Sequence, residues 1–219
     1  MHQDWMRRID AVWERADELD PAELVARIDT LAAELPDDDP RALWQRGGAR
    51  DSTGDESGAA EFYARALERD DAEGGLSGVE RTQLVIQYGS TLRNLGRAEE
   101  SLTLLDAEAD RVAVERLEAT RPIGSGGAAA TARDTEIDGY GDALEAFRAL
   151  TLHDLGREAE ALRATLLALA PHLPSYQRSL RGYAEALVGD EAEAEGDVDA
   201  TLETVPQGGS GSEPDDTER

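Results

Sequence analysis

Cysteine and lysine are both missing from this chain of 219 residues, and aromatic side chains supply only 5% of it. Without cysteine there is no disulfide, no thiolate zinc site and no sulfur nucleophile, which suits a reducing compartment. Without lysine, Schiff-base chemistry is excluded, and so is any phosphate-binding loop that needs a lysine after its glycines. Positive charge of any kind is scarce: 22 arginines stand against 48 acidic residues, for a formal net charge of −26. That balance argues against nucleic acid and anionic membrane as partners, because phosphate binding needs clustered cations that release counterions. No stretch approaches the roughly 20 uncharged apolar residues that span a bilayer. The segment Met1 to Val12 carries Asp4, Arg7, Arg8 and Asp10 and no apolar core, so no signal peptide is expected and the expected location is cytoplasmic.

An acidic surface stripped of lysine fits a protein working in concentrated salt, where carboxylates stay hydrated and screening suppresses their repulsion. A genome that favours arginine codons, combined with acidic tails, would leave a similar mark. The acid excess extends beyond the tail, which favours the first reading.

What the chain does have is a phrase that recurs: Thr53-Gly54-Asp55, Leu95-Gly96-Arg97 and Leu155-Gly156-Arg157. Each ends one amphipathic stretch and opens another, as the turn of a helical hairpin does. Four hairpins are predicted, at about 3–36, 40–69, 79–117 and 142–170, followed by a capping helix over 176–188 with Leu180, Tyr183, Ala184 and Leu187 for packing. Asp20-Pro21-Ala22-Glu23 reads as a helix start with a capping box. The glycine-rich stretch around Gly124 makes 118–141 an expected flexible insertion, and 189–219 reads as an acidic disordered tail. The fold class is therefore all-α, a short solenoid of helical hairpins within 1–188.

Junctions near Asp20, Asp55, Arg97 and Arg157 lie 35, 42 and 60 residues apart, against about 34 for the tetratricopeptide (TPR) repeat. Small residues recur where paired helices approach, at Gly47, Gly89 and Ala149 and at Ala59, Ser101 and Ala161. In this the chain resembles TPR proteins. The runs Arg50-Asp51-Ser52, Gly89 to Gly96, Leu152 to Arg157 and Tyr176 to Tyr183 look like the group-five TPR family. The resemblance implies a right-handed solenoid, a binding role and no assigned reaction.

It also implies a concave groove lined by the first helix of each hairpin, able to hold an extended protein segment. Projected there are Trp44, Asp51, Ile86, Gln87, Ser90, Arg93, Asn94, His153 and Asp154. Arg93 could grip a ligand carboxylate, Gln87 and Asn94 a peptide backbone, and Trp44 could anchor an apolar group. Equally, Arg93 could bridge Asp51 and Asp154 of neighbouring repeats, with Asn94 and Asp154 satisfying local backbone groups. A lysine-based clamp for chaperone tails is excluded. No nucleophile elbow, calcium loop or histidine-metal spacing is present, so neither a cofactor nor a metal is expected and the chain reads as non-enzymatic. The expectation is a protein-binding adaptor, or else a self-associating helical module that supports a separate enzyme or regulator.

Overall fold

A computed structural model describes residues 2–119 and 132–200. Among the described residues there are nine α-helices and no strand. They are α1 (His2–Trp13), α2 (Pro21–Ala32), α3 (Pro40–Asp51), α4 (Glu56–Glu73), α5 (Gly78–Asn94), α6 (Ala98–Ala119), α7 (Ala132–Asp154), α8 (Glu158–Leu169) and α9 (Gln177–Ala200). Each helix packs on the next in sequence, while α3 also meets α5 and α5 also meets α7. The first helices of successive hairpins thus form an inner row, as in a hairpin solenoid.

The repeated phrase becomes a repeated hydrogen-bond pattern. Gly54, Gly96 and Gly156 have φ of 84°, 74° and 73°, a left-handed conformation that costs glycine no Cβ clash. In each turn the glycine N–H and the N–H after it reach back to the preceding helix: Gly96 to the Arg93 carbonyl and Arg97 to that of Leu92, both 2.9 Å. Gly156 and Arg157 do the same with His153 and Leu152 at 2.8 and 2.9 Å, and Gly54 and Asp55 with Asp51 and Arg50 at 3.1 and 2.9 Å. Carbonyls that a helix end leaves free are satisfied locally, so the chain reverses without outside help. The next helix then starts on Asp55, whose carboxylate accepts the Gly58 N–H at 3.0 Å.

The capping box lies elsewhere than the sequence suggested. Asp20 accepts from the Glu23 N–H at 2.9 Å, but the Glu23 side chain turns to Arg27. The reciprocal pair forms at the start of α5, where the Glu80 N–H donates to Ser77 Oγ at 3.3 Å and the Ser77 N–H to Glu80 Oε2 at 2.7 Å.

The core is a succession of local clusters, each closed by the next hairpin. Trp5, Ile9, Leu24 and Ile28 of the first hairpin receive Ala49 of α3. Leu43, Trp44 and Tyr63 of the second receive Leu84 of α5. Val85, Leu105 and Val112 of the third receive Leu144 of α7. Such nearest-neighbour burial gives a repeat array its stability.

Two boundaries differ from expectation. Helix α7 begins at Ala132, ten residues before the predicted hairpin, and α9 continues to Ala200 past the expected boundary at 188. Residues 120–131 and 201–219, where the rest of the expected insertion and tail fall, lie outside the described residues. Tyr183, read as a packing residue, is 73% exposed, and Leu162 and Leu169 of α8 are 49% and 46% exposed. Helix α9 packs through Ala184, which is fully buried, and no further described hairpin covers the other face.

Within a hairpin the helices approach most closely where a side chain is absent. A Cβ on Gly47 would stand 2.6 Å from the Tyr63 ring, and one on Gly89 would stand 3.0 Å from Leu105. Gly47→Ala should therefore lower unfolding stability by about 1–3 kcal/mol through overpacking against the rigid ring. Gly89→Ala should cost less, since Leu105 can rotate and alanine returns about 1 kcal/mol of helix propensity. Urea denaturation of the two variants checks this order.

Candidate functional site

The groove is built from the inner row. Two tryptophans on consecutive first helices each donate to the glutamine that lies one hairpin further on: Trp13 Nε1 to Gln45 Oε1 at 2.7 Å, and Trp44 Nε1 to Gln87 Oε1 at 2.6 Å. Gln45 and Gln87 hold the same position relative to their turn glycines. The same row carries Thr91, whose hydroxyl donates to Asp51 Oδ1 at 3.0 Å. These bonds fix both indoles and one carboxylate before any ligand arrives.

Between them lies a cavity of about 520 Å³, within the size range of small-molecule and side-chain pockets. Its walls come from α1, α3, α5 and α7, with Tyr63 reaching in from α4. Of the residues projected from the sequence, Trp44, Asp51, Ile86 and Gln87 line it. Ser90, Arg93, Asn94, His153 and Asp154 lie outside that lining, toward the turn ends of α5 and α7. Arg93 Nε donates to Asp154 Oδ2 at 2.6 Å across the two hairpins. Of the two carboxylates weighed as partners for Arg93, only Asp154 is engaged; Asp51 takes Thr91 instead. His153 Nδ1 lies 2.8 Å from Glu158, which raises the imidazole above its ordinary value. Asn94 is exposed at the end of α5.

Wall residues that the sequence pattern does not single out for the groove include Trp13, Gln83, Tyr63 and Tyr140. Tyr63 belongs to the outer row, and its ring lies over Gly47, so the phenol reaches the neighbourhood of Gly48, where a Cβ would be 3.8 Å from the hydroxyl. The adjacent glycines Gly47-Gly48 were the available sign that an outer side chain passes there. The hydroxyl is buried and has no hydrogen-bond partner of acceptable geometry, yet it stands close enough to Asp51 to influence that carboxyl. Burial pushes the Asp51 carboxyl up from its ordinary value; Thr91 opposes this, nearby Glu56 adds to it, and Tyr63 opposes it.

Among the described residues no group of histidines and carboxylates could hold a metal ion. No helix among the described residues is long and apolar enough to cross a membrane. The cavity offers acceptors, amides and aromatic surface.

This arrangement is that of a helical-hairpin solenoid with a ligand-sized cavity on its inner face. The tetratrico peptide repeat family model of group five matches residues 40–125 and 127–187, and the chain belongs to that family. It matches no curated protein and no solved structure. TPR repeats are typically non-enzymatic interaction modules.

Two outcomes follow from the buried groups. Tyr63→Phe removes a hydroxyl that lost water without gaining a partner, and should raise stability by about 1 kcal/mol; urea titration measures it. For Asp51 the folded-state value lies above the unfolded one, so its contribution is most favourable below the ordinary value of 3.8 and is lost as pH rises through the folded value. Asp51→Asn should therefore match the parent protein in acid and exceed it above that window. Melting curves of both proteins across the acid range test the sign.

Proposed function

We propose that this chain is a cytoplasmic adaptor that binds a segment of another protein in the groove formed by α1, α3, α5 and α7. The observation that carries the reading is the cavity itself: four first helices contribute to one space whose indoles and carboxylate are held in place by hydrogen bonds between hairpins. Family membership supports it, because TPR domains typically bind proteins or peptides. In this reading Trp44, Ile86 and Gln87 receive the segment, and Asp51 lies at the base. Ser90, Arg93, Asn94, His153 and Asp154 form the polar ledge along which the segment leaves. The binding unit is the repeat domain within residues 1–188, and the strongly acidic surface is suited to concentrated salt.

A photo-activated cross-linking residue placed at Gln83 on the groove wall, or at Thr103 on the exposed face of outer helix α6, separates the surfaces. In cells expressing the full chain, a defined protein adduct is expected from position 83 and not from position 103. Adducts from position 103 alone, or from neither, would overturn the reading. The surface charge has its own test: lowering the salt to about 0.1 M or less lengthens the screening distance to about 10 Å or more, so helicity and melting temperature should fall. Circular dichroism that does not change between low and high salt would count against salt adaptation.

A further inference from the structure

Among the described residues, several well-buried carboxylates are met by arginine. Glu108, with its side chain 2% exposed, faces Arg81 and Arg111. Asp70, at 7%, faces Arg81, and Asp39, at 10%, faces Arg41. The half-buried Asp51 has no cationic partner among the described residues; its bond is to the neutral hydroxyl of Thr91. Asp10, across the cavity on α1, has none either. These two are the only charged side chains among the described residues lining the cavity.

A second observation is independent of charge. Tyr63, whose side chain is fully buried, also lines the cavity, and its hydroxyl is closed off beside Asp51 without a hydrogen bond of good geometry. Buried hydroxyls in folded proteins are nearly always hydrogen-bonded. A carboxylate without a cationic partner therefore faces this space, and indole and phenol rings from Trp13, Trp44 and Tyr140 wall it.

We infer that this cavity receives a positively charged side chain, arginine or lysine, projecting from the bound protein segment, with Asp51 as its principal counter-charge. Asp10 adds negative potential at the α1 side. The ring walls suit a cation, since aromatic faces attract guanidinium and ammonium groups. The carboxylate provides the charge-assisted hydrogen bond that Thr91 cannot. Gln45 and Gln87 are held by the indoles, and this leaves Asp51 as the strongest acceptor in the space. This inference rests on the groove reading above, and narrows it to the chemistry of one side chain of the partner.

The test uses the full chain and blocked glycine pentapeptides carrying one central arginine, lysine or citrulline. Citrulline keeps the shape of arginine and removes the charge. Binding is followed by NMR through the indole N–H signals of Trp13 and Trp44. The arginine or lysine peptide should shift both signals saturably, with citrulline at least about tenfold weaker. Asp51→Asn should lose about tenfold in affinity. Glu61→Gln, which removes an equal charge from an exposed site on α4, should bind as the parent does. A uniform loss in both variants would show diffuse attraction to an acidic protein and overturn the proposal, as would equal binding of arginine and citrulline. Because Asp51→Asn keeps an acceptor for Thr91, its melting temperature checks that it folds. Groove cross-linking at position 83 together with equal arginine and citrulline binding would sink this inference alone; no cross-linking would sink the groove reading too.

Discussion

The structure depends on a side chain that is not there. Gly47 lets the Tyr63 ring lie where a Cβ would come within 2.6 Å, and this close crossing sets the spacing of the second hairpin. At the equivalent place in the third hairpin Gly89 admits Leu105, and its carbonyl accepts the buried Ser101 hydroxyl at 2.8 Å. Ser101 in turn contacts Thr151 of α7 at 3.2 Å, so the contact inside one hairpin is tied to the seating of the next. Close helix approach at small residues is ordinary packing. Here it has a further consequence: a ring that belongs to the outer row is brought through to the inner face, where it helps wall the cavity.

Charge fixes how the hairpins sit on each other. Arg50 pairs with Asp29 at 3.0 Å and lies over Phe62, Arg81 joins Asp70 and Glu108, and Arg148 pairs with Asp106. Each of these links joins different helices. Ion pairs of this kind return little net stability, because desolvation offsets most of the attraction, but a mispaired arrangement would strand a charge. Arginine suits the task, as its planar fork can hold two carboxylates at once, which Arg111 does with Glu108 and Glu115. A chain without lysine makes each of these links with a guanidinium.

The turns were the most legible part of the sequence, since left-handed glycine has few substitutes and its hydrogen bonds are local. Hairpin pairing followed from them. The start of α7 was obscured because the glycine-rich run near Gly124 outweighed the helix-compatible residues just after it. The capping box at Ser77 is hard to read in the sequence because Gly74, Gly75 and Gly78 surround it and give the stretch the composition of a loop. In the candidate site, Trp44, Asp51, Ile86 and Gln87 were reachable by aligning first helices on their turn glycines. Trp13 was not, because α1 lacks a turn glycine to align. The Arg93–Asp154 pair spans 61 residues, and only the stacking of α5 against α7 decides it over the alternative with Asp51.

Taking the column just before each turn as one set shows why Asp51 stands apart. Asp51, Arg93 and His153 occupy the same place in successive hairpins. Arg93 is answered by Asp154 and His153 by Glu158, each in geometry short enough for a charged pair. The basic members of the column are thus consumed within the solenoid, while the acidic member is left with a neutral hydroxyl and a carboxyl raised by burial. Stability alone does not account for that choice, because asparagine could accept from Thr91 without the cost of a buried charge. The charge left over on the inner face is negative and sits at the base of a walled space. That space is therefore matched to a cation supplied from outside the described fold.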